Sequence, residues 1–255
     1  MKKISLNILT LALIFALGSC DKKAEPIAIL DYGDANATFL KINYLSAYPA
    51  NPNVQLSING TRVSGLITGR TPFPGGGYNT NGSNFPDYLK LTPGATALSV
   101  AIPKLNTNTD SIVLFTTSLS LASGKHYTAH VTDTGVNTKA VLIEDNLSFN
   151  DTTSRYRFAN MMPNVPSIDL YYGTTLVSSG IPYLGYSNYF DIPVPATAQT
   201  WAIRETGTLP TSTALATYSS TNTSLRNRVY TVFALGYKGQ TATATKPYVS
   251  FLLNK

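Results

Sequence analysis

The chain has 255 residues, with 19 Lys+Arg, 13 Asp+Glu, two His and a single Cys; 13% is charged and 43% apolar. That is too apolar for a disordered chain and too lightly charged for a long coiled coil. One Cys excludes a disulfide framework and a cysteine zinc cluster, and two His leave little for a multi-histidine metal site. The 16 Tyr, 18 Gly and 15 Pro point to strands joined by turns.

Lys2 and Lys3 precede a mostly apolar run, Ile4 to Leu17, which ends in Leu17-Gly18-Ser19-Cys20. The run is shorter than the ~20 residues a spanning helix needs. Small residues follow it, as they follow a cleaved signal. Residues 1–19 are therefore expected to form a signal peptide. Leu-Gly-Ser-Cys resembles a bacterial lipobox, which implies that Cys20 is acylated and becomes the first mature residue. Each acyl chain adds ~0.8 kcal/mol per buried methylene. The expected partner is thus outer-membrane lipid held through Cys20, and the expected place is the cell outer membrane. Residues 20–36 read as the lipidated Cys and a tether. Within it, Asp31, Asp34 and Asn36 have a calcium-like spacing but lack the bidentate Glu of a known loop. Processing removes Lys2 and Lys3 and no acid, so the net charge falls from +6 to +4. No basic face of the kind nucleic acid requires is apparent.

Further along, two stretches resemble each other. Leu40-Lys-Ile-Asn43-Tyr44, then Pro49 and Pro52, leads to Val54 through Gly60. Arg157-Phe-Ala-Asn160-Met161, then Pro163 and Pro166, leads to Ile168 through Gly173. Both read strand, proline loop, strand, glycine turn. Val54, Leu56 and Ile58 alternate with Gln55, Ser57 and Asn59, a half-buried strand. Asn59-Gly60 favours a hairpin turn because both residues tolerate positive φ. A second pair follows, with Tyr127 and Tyr230 each opening a strand after a turn, 103 residues apart. This resembles the tyrosine corner of Greek-key sandwiches.

The expected fold class is all-β: two tandem Ig-like antiparallel β-sandwich domains, at 37–150 and 151–255. The second begins near Phe149-Asn-Asp-Thr-Thr-Ser154. No 3.6-residue pattern is sustained outside the signal, so helices should be short or absent.

The run Arg157, Asn160, Pro163, Ile168, Asp169, Tyr171 and Gly173 resembles the motif of the domain of unknown function 4397. The resemblance covers about 37–255. It implies a secreted or lipid-anchored bacterial protein with tandem Ig-like modules. It carries over no catalytic residue. The first copy departs from the motif, with Gln55 in place of Asp169 and Lys41 in place of an Arg.

The residues offer little chemistry. His126 and His130 lie four apart on a predicted strand, so ~13 Å separates them and one metal ion does not bridge them. With Tyr127, Ala129 and Val131 on the core face, both His should meet solvent. Glu144-Asp145 and Glu205 are isolated, which leaves a paired-carboxylate hydrolase unsupported. No P-loop, nucleophile elbow or dinucleotide fingerprint occurs. No enzyme, metal or cofactor is expected.

Aromatic loops are the distinctive feature. Phe73, Tyr78 and Phe85 stand among Gly and Asn before the strand at Tyr88, and Tyr183 and Tyr186 occupy the equivalent stretch of the second copy. Aromatic rings with amides on loops of a rigid sandwich suit a glycan or protein ligand. Asp110-Ser111-Ile112 and Asp151-Thr152-Thr153 resemble O-glycosylated sites of exported bacterial proteins. The expectation is a non-catalytic, lipid-anchored envelope protein that binds a glycan or an envelope protein. The alternatives are a structural spacer or assembly subunit, or an accessory to a glycoside hydrolase.

Overall fold

The computed structural model describes residues 33–69, 88–107, 109–194 and 198–255. Cys20, Phe73, Tyr78 and Phe85, with the signal peptide and most of the tether, lie outside the described residues. Residues Gly33–Lys255 form one compact unit.

The first half supplies β1 (Thr38–Tyr44), β2 (Gln55–Ile58), β3 (Thr61–Arg62), β4 (Leu89–Leu91), β5 (Gly94–Pro103), β6 (Asp110–Leu121), β7 (His126–Thr132) and β8 (Lys139–Glu144). The second half supplies β9 (Thr153–Asn160), β10 (Ser167–Tyr172), β11 (Thr175–Pro182), β12 (Phe190–Pro193), β13 (Trp201–Glu205), β14 (Ala216–Tyr218), β15 (Arg228–Leu235) and β16 (Tyr248–Leu253). Helical structure among the described residues is confined to two 3-10 turns, Gly135–Asn137 and Thr221–Thr223.

The strands form four sheets, β4-β1-β7-β8, β3-β2-β5-β6, β12-β9-β15-β16 and β11-β10-β13-β14. Adding eight to each number of the first pair reproduces the second, so the duplication read from the sequence is a duplication of topology. Neighbours are antiparallel except β1 with β7 and β9 with β15, which run parallel.

Local chemistry explains the pieces. Asn59 and Gly60 both take positive φ, 50° and 79°, and turn β2 into β3 as an Asn-Gly hairpin. Tyr127 opens β7 and its hydroxyl accepts the Ala122 N–H at 3.4 Å. Tyr230, in β15, donates its hydroxyl to the Asn222 carbonyl at 2.9 Å. Both tyrosine corners therefore exist. Asp169 accepts from Ser179 Oγ, the Gly180 N–H and Thr206 Oγ1 at 3.0, 2.7 and 3.0 Å. Burial opposes ionisation of its carboxyl, but these donors, with the Gly207 N–H, hold its pKa below the ordinary value. The Asp of the family motif is a clamp that ties β10, β11 and the turn after β13 together.

Each sandwich has its own apolar core. Leu40, Ile42, Leu56, Leu98, Val100 and Ala129 fill the first. Tyr156, Phe158, Trp201, Tyr230, Val232 and Phe251 fill the second. Burying one such large side chain stabilises by roughly 2–3 kcal/mol.

The strand β1 is buried along its whole length, and that departs from a sheet with one wet face. Leu40 and Ile42 face the first core. The alternate residues Phe39, Lys41 and Asn43 are also buried, because a sheet of the second sandwich covers them. A third cluster, Leu45, Ile143, Ala159, Met161, Phe233, Leu235 and Leu252, joins residues of both halves.

This overturns one expectation. His126 and His130 do not meet solvent: His130 is wholly buried and His126 is partly covered. They do lie off the first core, as the alternation required, but the face opposite that core is a sandwich-to-sandwich contact. His126 stacks on Phe39 at 4.5 Å between centroids, and His130 meets Phe233 at 6.1 Å.

The registers also shift the sequence alignment by one residue. Leu40 pairs with Tyr127 and Tyr156 with Tyr230. Lys41 is therefore the counterpart of Arg157, and Asn43 the counterpart of Ala159, not of Asn160.

Candidate functional site

The contact between the sandwiches is built from duplicated positions. Lys41 and Arg157 are equivalent; so are Thr128 and Thr231, Tyr88 and Tyr189, Glu144 and Leu253, Asp145 and Asn254, by the same registers. Lys41 Nζ donates to the Leu253 carbonyl of the other sandwich. In return Arg157 donates to the Glu144 carbonyl at 2.7 Å. Lys41 lies 4.2 Å over the Tyr88 ring and Arg157 4.1 Å over the Tyr189 ring. Thr128 donates to Asp145 at 2.6 Å and Thr231 to Asn254 at 2.9 Å. Reciprocal contact between equivalent positions is the mark of an isologous interface. Two copies in one chain meet here as two subunits of a symmetric dimer would.

Asp145 differs from its counterpart Asn254, and the charge is used. Its carboxylate accepts from Thr128 and from the Tyr88 hydroxyl at 3.0 Å, and Arg157 stands 3.9 Å away. Burial raises its pKa, against the pull of the Thr128 bond and of Lys41 and Arg157. The Asn254 amide donates to the same Tyr88 hydroxyl at 3.3 Å. Burial, with the nearby Asp145 charge, pushes the Tyr189 phenol up to about 12. His130 is held neutral: burial first, then the Arg157 and Lys41 charges, lower its pKa to about 3. Its Nδ1 faces the Asn43 amide nitrogen at 3.1 Å, so Nδ1 accepts and Nε2 carries the proton. Lys41, Tyr88, Thr128, His130, Asp145, Arg157, Thr231 and Asn254 are all buried, and their contacts lock the two sandwiches together.

The surface is where a ligand would meet the protein. The loop that follows β11 is pinned to β9. Leu184 N–H donates to the Asn160 carbonyl, Asn160 N–H to the Gly185 carbonyl and Ser187 N–H to the Phe158 carbonyl, at 2.9, 3.0 and 2.8 Å. The Asn160 side chain adds a bond to the Ile181 carbonyl and accepts the Met162 N–H, both at 3.0 Å. Asn160 of the family motif is thus a loop clamp.

This loop sends its two tyrosines to different neighbours. Tyr183 is half-buried, and its hydroxyl is enclosed without a hydrogen-bond partner among the described residues. Burial, then Asp133 and Tyr237, raise its pKa. Tyr237 itself donates to Asp133 at 2.7 Å, joining the two sandwiches. Tyr186 is 51% exposed, with the Arg157 guanidinium 5.4 Å from its ring. Beside Tyr237, residues of both halves line a shallow cleft of about 300 Å³, including Pro49, Thr134, Asn164, Gln240 and Thr245. Among the described residues no cluster of three or more His, Cys, Asp or Glu is placed to hold a metal ion.

The strand order and the site together define a tandem β-sandwich protein whose two halves meet through buried polar contacts and a shared apolar cluster. Residues 40–166 and 154–250 match the family described as Domain of unknown function (DUF4397), and the chain belongs to that family. No curated protein matches it significantly. One solved structure is described as alpha-glucan recognition by family 41 carbohydrate-binding modules from streptococcal virulence factors. It aligns with 84% of this chain and 96% of its own, at 12% identity and a TM-score of 0.24. A likeness at that score carries no argument.

Sequence reasoning missed the lock. Lys41 was visible as a departure from the motif, and an apolar strand carrying a Lys between Leu40 and Ile42 signals a second buried face. Tyr88 and Asp145 gave no signal, since their meeting depends on strands far apart in the chain.

Proposed function

We propose that this protein is a non-catalytic envelope protein, anchored by acyl chains on Cys20, that binds a glycan through exposed aromatic residues on its loops. The observation that supports this reading is Tyr186. Half of its surface is bare, yet it stands on a loop fixed by backbone bonds to β9. A rigid, exposed ring offers an apolar face to a sugar at small entropic cost. The cleft beside Tyr237 has no charged residue in its described lining and includes the Gln240 amide, while the Asn164 amide is taken by the Lys238 backbone at 2.9 Å on both its ends.

The test is a glycan array probed with the mature protein and with Tyr186→Ala. Tyr183 is the poorer choice for substitution, because its enclosed hydroxyl makes it part of the packing. Wild-type binding to a defined glycan that falls at least tenfold in Tyr186→Ala supports the reading. No binding by wild type, or equal binding by the variant, removes it. For the anchor, Cys20→Ala should move the protein from the membrane fraction to the soluble one.

The reciprocal lock favours a second reading, a rigid spacer that holds another component away from the membrane. Wild-type protein that binds nothing on the array, yet is needed at a fixed length, would support it.

A further inference from the structure

One end of the first sandwich carries a feature that the glycan reading does not use. β5 and β6 form a long hairpin whose far end lies at Pro103 and Asp110. Its near end, where Gly94 pairs with Leu121, adjoins the N-terminal segment, since Ser123 Oγ donates to the Ala35 carbonyl at 2.6 Å. Nine steps of strand separate the two ends, about 30 Å. At the far end is a cleft of about 530 Å³ whose lining includes Pro52, Arg62, Leu66, Ile102, Lys104 and Leu105.

The chemistry of this cleft is one-sided. Two cations line it and no acid does among the described residues. Lys104 forms no ion pair among the described residues. Arg62 is partly fixed, its Nε donating to the Ser64 carbonyl at 2.7 Å. The apolar part is aliphatic and exposed: Leu105 is 88% exposed and Leu66 55%. Ile112, also largely exposed, sits opposite Ile102 on the neighbouring strand. Among the described residues no aromatic ring lines the cleft.

Leu105 is the unusual residue. It sits second in a turn closed by the Thr107 N–H to the Lys104 carbonyl at 3.0 Å, with the Lys104 N–H bonded to the Thr109 carbonyl at 2.8 Å. The Thr107 hydroxyl bonds the same Lys104 carbonyl at 3.1 Å and accepts the Thr109 N–H at 3.2 Å. Asn106 follows with φ of 59°. Such turns usually take Gly, Asn, Asp or Ser at their tips. A leucine there buries nothing in the fold, and the closed turn holds it out to solvent. Exposed aliphatic side chains grouped beside a polar rim are the pattern of a protein docking surface.

We propose that this cleft docks an extended segment of a partner protein in which carboxylates flank aliphatic side chains. Leu105 and Leu66 would take the aliphatic residues, and Lys104 would meet a carboxylate. Charge complementarity selects the acidic partner and speeds its approach. The cleft is distinct from the Tyr186 surface, so either reading can fail while the other stands.

A random peptide library displayed on phage is selected on the immobilised mature chain. It is then counter-selected on Lys104→Glu and on Leu105→Ser, both checked by circular dichroism for an unchanged fold. The expected survivors carry Asp or Glu next to Leu, Ile or Val. A synthetic survivor should bind each variant at least tenfold more weakly than wild type, and should weaken as salt is raised. Survivors that are neutral or basic, or a library that yields no peptide sensitive to both substitutions, overturn the proposal. So does an acidic oligosaccharide that binds here, lost in Lys104→Glu, when no peptide does.

Discussion

His130 makes the lock between the sandwiches sensitive to acid. Its ring is wholly buried, with Nδ1 taken by the Asn43 amide and the Arg157 and Lys41 charges nearby. Its pKa falls from 6.5 to about 3 on folding. A histidine shifted downward binds a proton more readily when unfolded. Its contribution is therefore full above pH 6.5 and is lost as pH falls toward 3. Each pH unit in that window is worth about 1.4 kcal/mol, so acidification from pH 7 to about pH 4 should remove roughly 3 kcal/mol through this residue alone. Asp145 acts in the opposite sense, because its folded pKa is raised, and His126, also lowered, acts in the same sense. The comparison that isolates His130 is the difference between wild type and His130→Gln, which keeps an amide oxygen for Asn43. Urea unfolding of both proteins at several pH values between 4 and 7 reads it. The two stabilities should converge as pH falls, by roughly 3 kcal/mol over the range. Parallel curves would refute the reasoning and mean that His130 charges freely in the folded protein.

Other substitutions test the local arguments. Tyr230→Phe should cost about 1 kcal/mol in urea unfolding; Tyr127→Phe should cost less, because its bond to Ala122 is the longer one. Equal costs would contradict the corner assignment. Asp169→Asn should cost roughly 2 kcal/mol, since an amide donor would face the N–H groups that now converge on the carboxylate. Gly236→Ala should cost at least roughly 2 kcal/mol: Gly236 has φ of +92°, and a Cβ there would collide with the Lys246 carbonyl. A melting temperature unchanged from wild type would show that the loop joining β15 to β16 moves freely aside.

Much of the fold was legible because it rests on local rules. The Asn59-Gly60 turn and the tyrosines that open β7 and β15 each announce themselves within a few residues; the alternation of Val54, Leu56 and Ile58 marks the core face, but Gln55 and Ser57 between them are buried and not wet. The duplication was legible for the same reason, since each copy repeats those signals. The lock was not, because its partners come from β1, β7, β8, β9, β15 and β16 and from the residues just before β4 and β12, which meet only across strands far apart in the chain. The histidines show the cost of reading one strand alone. Alternation correctly put His126 and His130 off the first core, but alternation does not say what covers the other face. Tyr183 and Tyr186 were found together by composition, and only the turn at Leu184, with φ of 63°, separates their surroundings.

The two sandwiches should behave as one body, joined by the Lys41 and Arg157 contacts and by the shared apolar cluster. Trp201 is the only tryptophan, and it is wholly buried in the second core; its fluorescence follows that half, while far-ultraviolet circular dichroism follows the strands of both. Equilibrium unfolding in urea should give coincident curves from the two probes, a single cooperative transition. A dichroism curve with a second step that the Trp201 signal lacks would show that the halves melt separately and that the reciprocal Lys41 and Arg157 contacts do not bind them together.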